Sequence, residues 1–369
     1  MTRVLVVNAG SSSLKVRVLD DGDTVAAALD LDRWDGSPDH RDLTGFLTRA
    51  GAGATVTGHR VVHGGTRFRH PVLIDDDVTE AIAQLADLAP LHQPRALAGI
   101  AATRQALPGL PAVACFDTAF HADMPAAAAR YALPAGWTQR FGLRRFGFHG
   151  LSHGYAARRA AQLLDRDPAE LRLVTCHLGA GASLAAVHGG RSVDTTMGFT
   201  PLEGLVMATR SGSVDPGLIV WLLQHGHLGL NDVAAGLEQT SGLAGLSGQA
   251  SGDIRDVQRA AGAGDPAAAL AIEVYLHRLR REIAAMTAAM NGLDAIAFTG
   301  GIGEHNPAIR AAAATGLGFL GISVDPSRNQ ATADGVISGP DERVPSLVVT
   351  ARDDIEIARQ ARAVLLRAS

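Results

Sequence analysis

The chain has 369 residues, 47% of them hydrophobic but only 4% aromatic, and its 33 basic and 37 acidic side chains leave a formal net charge of −4. That length exceeds what one hydrophobic core usually serves, so two domains are expected, and the apolar content excludes disorder. The charge balance gives no electrostatic footprint for nucleic acid or an anionic membrane, which leaves a small molecule as the expected partner.

The first apolar run, Val4 to Val7, stops at Asn8 and is too short for a signal-peptide core. A Gly/Ser turn follows, and Leu14 to Leu19 resumes the β-branched pattern, which predicts a strand, a tight turn and a second strand. Residues 51 to 58 read as a flexible connection, and the aspartate clusters near 20 and 75 as solvated turns. A helix is predicted from Asp77 to Leu88, and a strand in LPAVACFDTAF that ends at Asp117 before a helical segment. Another helix is predicted from Ser152 to Leu164. Residues 171 to 187, LRLVTCHLGAGASLAAV, repeat the strand, glycine turn and strand of the N-terminus, as if the chain were duplicated. Asp265 is placed to cap a long helix from Pro266 to Met290, with apolar residues at Leu270, Val274, Leu276, Leu279 and Ile283. From Ala295 to Gly318 the pattern is strand, glycine turn and helix, with Asn306 as N-cap and Pro307 at the first helical position. Strands alternating with helices argue an α/β fold. No segment approaches a membrane span. Cys115 and Cys176 sit in apolar runs without CxxC spacing, which fits a reducing cytoplasm better than a disulfide framework.

Glycines let backbone N–H groups approach phosphate oxygens, and Ser11 and Ser13 add donors without a like charge, so three glycine turns after strands point to phosphate handling. None fits GxxxxGK[ST], so no P-loop is present. Arg60 lies in a strand beside Val61 and Val62, where a guanidinium needs an anion; it is either a salt-bridge partner or a clamp for a small carboxylate. Arg210 follows another apolar stretch and raises the same alternatives. Asp117, at a strand end, either caps the next helix or holds a metal ion or a nucleophile. His59 and His63, like His149 and His153, are four apart, but flanking glycines and the lack of HExxH argue against zinc.

Taken together, NAGSSSLK, GHRVVHGG, LHQP, FDTAFH, FGFHGLSH, HLGAGAS, MGFTPLEGLVMATRSGSVDP, SGLAGLSG with GDIRDV, and TGGIGEHNP resemble the motifs of the acetate kinases, in that family's order. The resemblance implies an actin-like, two-lobed α/β fold with a duplicated ribonuclease H-like core and nucleotide in the cleft between lobes. The lobes are expected at 1–145 with 355–369, for substrate and phosphate loop, and at 146–354, for nucleotide and dimerisation. It further implies a cytoplasmic homodimer that transfers phosphoryl reversibly between ATP and acetate, with Mg2+ or Mn2+, giving ADP and acetyl phosphate. Carried over by residue, Asp117, His149 and Arg210 are catalytic, the last two stabilising the transferring group. Arg60 is the carboxylate ligand, and Val62, Leu91, Phe148 and Pro201 form the methyl pocket. Asn8 and Asp353 belong to the metal shell, with Asp353 favoured over Asp354 by register. Ser11, Ser13 and Lys15 correspond to phosphate-loop positions. His177, Leu178, Gly179, Ala180 and Gly181, then Asp253, Ile254 and Arg255, then Gly301, Ile302, Gly303, Glu304 and His305, are the nucleotide contacts. A carboxylate nucleophile is already ionised at neutral pH, so metal positioning is favoured for Asp117 over a general-base role.

Three positions depart from the family pattern: Ala180 and His305 stand where it has asparagine, and Asp353 where it has glutamate. The chain is also short between Trp34 and Ala54. A kinase for propionate or butyrate is the alternative within this class, and a non-catalytic nucleotide-binding regulator the alternative outside it.

Overall fold

The computed structural model describes residues 2–10, 13–90 and 92–368, so Ser11 and Leu91 lie outside the described residues. Twelve strands are formed among them: β1 Val4–Ala9, β2 Leu14–Leu19, β3 Val25–Leu31, β4 Val56–Val61, β5 Val72–Leu73 and β6 Ala112–Phe116, then β7 Arg172–Leu178, β8 Ala182–His188, β9 Arg191–Thr195, β10 Ala295–Thr299, β11 Gly335–Val336 and β12 Ser346–Val348. They make two six-stranded sheets, ordered β3-β2-β1-β4-β6-β5 and β11-β12-β10-β7-β8-β9. In the first, β1 pairs antiparallel with β2 and parallel with β4, and β4 pairs parallel with β6. In the second, β7 bears the same relations to β8 and β10, and β10 to β12. The likeness extends to the edge, where β5 and β11 each pair antiparallel with the strand that follows them. The hairpin repeat visible in the sequence is thus one corner of a duplicated α/β sheet.

The chain divides into two compact units. The first holds residues 1–123, 148–155 and 352–369, and the second 124–147 and 156–351. This differs from the expected split in two respects. Residues 124–147 join the second unit because Arg145 donates to the carbonyls of Thr196 and Met197, and the Phe146 N–H to that of Gly198. Residues 148–155 join the first, together with Arg352 to Asp354. There the Gly150 N–H bonds the Asp117 carbonyl, Leu151 is buried with Val113 and Cys115 of β6, and Asp353 opens the terminal helix.

In the first unit that helix, Asp353–Ala368, buries Ile357, Ala358 and Ala361 against Val4, Val6 and Val113 of the sheet. Gly58 in β4 permits the approach, since a Cβ there would lie 2.6 Å from Ile357 Cγ2. Residues 51 to 58 are therefore no loop: they form a 3-10 turn, Gly51–Gly53, and the start of β4. The opposite face is covered by helices Arg41–Ala50 and Gln93–Ala106. In the second unit, helix Pro266–Ala289 is capped by Asp265, which accepts from the N–H groups of Ala267 and Ala268. It buries Ala271, Tyr275, Leu279 and Ile283, whereas Leu270 points outward at 54% exposure. Each sheet carries one cysteine, Cys115 in β6 and Cys176 in β7. Both are fully buried, and burial pushes both thiols far above their ordinary pKa. No helix among the described residues is long and apolar enough to cross a membrane.

Candidate active site

Three strands of the first sheet end on one cluster of polar groups. Asn8 lies near the end of β1, Arg60 near the end of β4, and Asp117 one residue beyond β6. Because β1, β4 and β6 are adjacent and parallel, their carboxyl ends deliver these side chains side by side. The Asp117 carboxylate accepts from Arg60 Nη2 at 2.6 Å and from Nε at 3.1 and 3.2 Å, while Nη1 donates to Asn8 Oδ1 at 3.3 Å. Asp117 is buried and Arg60 partly buried, with side-chain exposures of 2% and 15%. Burial works against the Arg60 charge, but the Asp117 carboxylate outweighs it, so the guanidinium is held above its ordinary pKa. Salt bridge and clamp are therefore compatible readings. With one hydrogen on each terminal nitrogen used by Asp117 or Asn8, Nη1 and Nη2 each retain another N–H.

Asp353 opens the helix that crosses beneath these strands, and its side chain bonds Asn8. Its Oδ1 is buried with no hydrogen-bond partner among the described residues. Burial raises its pKa, against the lowering field of Arg60. Asp354 is committed elsewhere, to Arg352 Nε at 2.8 Å and Nη2 at 2.9 Å. Lys15 is exposed on β2, where it pairs in register with Asn8, and the Ser13 carbonyl closes the β1–β2 turn by accepting from the Gly10 N–H at 2.7 Å.

His149 holds a left-handed backbone, φ 55°, between two fixed neighbours. On one side the Phe148 carbonyl meets His121 Nε2 at 3.1 Å; on the other the Gly150 N–H donates to the Asp117 carbonyl at 2.9 Å. A Cβ on Gly150 would stand 2.1 Å from that carbonyl oxygen, so only glycine lets the helix Gly150–Leu163 start this close to Asp117. A strained non-glycine residue at such a point is characteristic of a functional position. Val62 and Phe148 are buried in the same unit, Phe148 edge-on to His63 with ring centroids 5.4 Å apart. His63 itself accepts the Gly65 N–H at Nδ1, and no group of three or more His, Cys, Asp or Glu among the described residues is placed to hold a metal.

The second unit contains a cavity of about 500 Å³ lined by Gly179, Ala180, Ala208, Ser251, Gly252, Asp253, Ile254, Arg255, Gly301, Ile302, His305 and Asn306. Five of its lining residues are glycine or alanine, which leaves backbone facing the space. Of the expected nucleotide contacts, His177, Leu178, Gly181, Gly303 and Glu304 do not line it. Leu178 is buried at the end of β7, Gly181 closes the hairpin turn by accepting the Gly179 N–H, and the Glu304 carboxylate accepts the Ala351 N–H. The glycine turn expected after β10 is instead a short helix, Gly300–His305, that starts at once. Gly300, at φ 77°, makes this possible, because a Cβ there would press within 2.8 Å of the Leu178 carbonyl. Arg310, fully buried, donates to the carbonyls of Gly303 and Glu304 at the other end of that helix.

Ala208, Ser251, Gly252 and Asn306 complete the cavity and were not anticipated. Gly252 carries a signal in the GDIRDV motif: its Cβ would fall 2.1 Å from the Ala208 carbonyl. The Ala208 N–H in turn bonds the Ala180 carbonyl, and two residues on Arg210 donates to the Pro201 carbonyl at 2.6 Å. One loop thus supplies a cavity wall and positions Arg210. It is braced from behind by Glu203, which accepts from Tyr131 at 2.7 Å and Arg145 at 2.7 Å.

A duplicated α/β sheet, with a guanidinium and a carboxylate paired at strand ends in one unit and a glycine-lined cavity in the other, defines a kinase of the phosphotransferase class. The sequence matches the acetokinase family over residues 47–359. It is 45% identical to an acetate kinase from Leifsonia xyli, with 98% of each chain covered, and 46% identical to one from Deinococcus deserti, covering 98% and 97%. Among solved structures, acetate kinase from Porphyromonas gingivalis superposes with a TM-score of 0.88 at 35% identity, over 99% of this chain and all of that one. A propionate kinase from Francisella tularensis gives 0.90 at 34% identity, with the same coverage. The chain belongs to the acetokinase family.

Proposed function

We propose that the chain is an acetate kinase, transferring the γ-phosphoryl group of ATP reversibly to acetate, with acetyl phosphate and ADP as products. The observation that carries this reading is the partly buried Arg60, held side-on by Asp117 with donors left over for a second, small carboxylate. In the forward direction an acetate oxygen forms a bond to the γ-phosphorus as the bridging oxygen to the β-phosphate leaves with ADP. The nucleophile is ionised at neutral pH, so no proton has to be removed. Asp117 therefore needs no general-base role; its carboxylate orients Arg60 and is available to position a metal ion. Catalysis of such a step is positioning plus stabilisation of the equatorial oxygens, a task for the His149 imidazole and the Arg210 guanidinium. Val62 and Phe148 offer buried apolar surface for the methyl group.

The orphaned Oδ1 of Asp353 beside Asn8 suits Mg2+, which binds through one or two protein oxygens and completes its shell with phosphate and water. Bound there, the ion would neutralise phosphate charge. Ser11, Ser13 and Lys15 are assigned to the phosphates, and the cavity of the second unit to the nucleoside. Propionate is the alternative acceptor, favoured by the likeness to a propionate kinase, because one methylene in an apolar pocket discriminates by only about 1 to 3 kcal/mol.

We further propose a cytoplasmic homodimer. Helix Pro216–His225 has no buried residue, and Leu218, Val220, Trp221 and Leu223 are all exposed on it, an apolar surface of the kind that another subunit covers. The reaction is tested by hydroxamate detection of acyl phosphate with Mg-ATP and acetate, propionate or butyrate. Highest kcat/KM with acetate is expected; no acyl phosphate from any of the three acids would refute the reading.

A further inference from the structure

We propose that Lys15 is acetylated by acetyl phosphate, the product of the reaction assigned to this chain, and that the modification disables the phosphate end of the site. The inference rests on the acetate kinase reading given above. Lys15 is the one lysine among the 33 Lys and Arg side chains of the sequence. An arginine stays protonated and offers no lone pair to an acyl donor, whereas a lysine amine offers one when it gives up its proton. The sequence therefore presents a single side-chain amine to its own product.

That amine stands at the cluster of Asn8, Arg60 and Asp353. Lys15 lies on β2, exposed, in register with Asn8 of β1 and Asp30 of β3. Asp30 is already taken by Arg17, whose Nη2 donates to it at 2.9 Å, and among the described residues Lys15 Nζ has neither a hydrogen bond nor an ion pair. Its charge nonetheless reaches the metal-shell aspartate: burial raises the pKa of Asp353, and the fields of Arg60 and Lys15 both oppose that rise. In acetyl phosphate the acyl carbon is two bonds from phosphorus, a separation that the flexible four-carbon stem of a phosphate-binding lysine spans. The Nζ lone pair attacks that carbonyl carbon and forms the amide bond. The bond from the carbon to the bridging oxygen breaks, and phosphate leaves with its electron pair and takes up the proton shed by the amine. Nothing is oxidised or reduced. The amide that remains is uncharged, so a cation is lost from the turn assigned to the phosphates.

The full-length protein is incubated with synthetic acetyl phosphate in the absence of nucleotide, freed of it, mapped by peptide mass spectrometry and assayed for acyl phosphate formation. An acetyl group on Lys15 is expected, forming at least about tenfold faster than in the chain unfolded in guanidinium chloride, because a bound donor reacts as if highly concentrated. The rate should level off as acetyl phosphate is raised, and kcat/KM for ATP should fall at least about tenfold in the modified protein, as for the loss of a charged hydrogen bond. Lys15→Gln, which resembles the neutral amide, should show that loss without treatment. Lys15→Arg, which keeps the charge but has no amine, should lose no further activity during the incubation, with folding of both variants confirmed by melting temperature. Absence of acetyl-Lys15, acetylation no faster than in the unfolded chain, or a modified protein with undiminished kcat/KM overturns the proposal. A protein that makes no acyl phosphate from Mg-ATP and acetate refutes the kinase reading, while the rate of Lys15 acetylation by the synthetic donor still decides whether this site is real; turnover with Lys15 left unmodified does the reverse.

Discussion

Removing the Arg60 guanidinium would strand the buried Asp117 carboxylate, so Arg60→Ala should cost stability as well as substrate. Breaking one side of a buried ion pair typically costs about 3 to 5 kcal/mol. Arg60→Lys keeps the charge and loses the planar fork, and is the better probe of the clamp. It should raise the acetate KM roughly tenfold or more, as expected for the loss of a charged hydrogen bond, with a smaller change in the ATP KM. Equal changes in both would remove the case for a carboxylate clamp. His59 permits a prediction that has nothing to do with catalysis. Burial, assisted by the Arg104 charge, lowers its pKa to about 3, and it bonds Thr57 and Thr103 instead of a carboxylate. In the unfolded chain it takes a proton near 6.5. The unfolded state therefore binds the extra proton, and stability falls as pH drops from about 6.5 toward about 3. Between pH 7 and pH 5 this one group should cost about 2 kcal/mol, and urea titrations of His59→Gln should lose that share of the acid sensitivity. An acid limb of unchanged slope would show that the imidazole is not held neutral.

At the scale of elements, Gly150 is the position where the geometry leaves least room. Gly150→Ala would push the helix Gly150–Leu163 off the Asp117 carbonyl and with it the strained backbone of His149. The expected result is a fall in kcat of about a hundredfold or more, out of proportion to any change in KM, since positional shifts of about an ångström cost that much. Steady-state kinetics beside a melting curve would separate this from simple unfolding. The same elements explain what could be read in advance. The β1–β2 and β7–β8 hairpins were legible because a β-branched run, a glycine turn and a second apolar run have few other solutions. Asp265 and Asn306 were legible as caps because a capping side chain acts within three residues of itself. The helix at Gly300 was not, because its start depends on a left-handed glycine pressed against the end of β7, more than a hundred residues earlier. Gly58 misled for the same reason: in isolation it reads as a loop residue, and only the helix packed upon it gives it a place in a strand. Ala208 has no side-chain chemistry at all, so no pattern could mark it as a cavity wall. Local rules thus recovered turns and caps, while contacts between distant segments set which of the motif residues actually face the cavity.

For the whole molecule, the exposed apolar helix Pro216–His225 is the feature that a monomer leaves unexplained. Trp221 is 55% exposed on it, and Trp221→Glu places a charge in the surface proposed to be covered. Sedimentation velocity should show the wild type as a dimer and the variant shifted to monomer at micromolar concentration. A wild type that sediments as a monomer would remove the dimer proposal without touching the assignment of the active site. The two buried cysteines have a use at this scale as well. An alkylating reagent attacks only the thiolate, and each of these thiols is sealed in a different sheet with its ionisation suppressed. Cys115 and Cys176 are therefore built-in reporters: which of them is labelled first by iodoacetamide under mild denaturant would tell which half of the duplicated fold opens first.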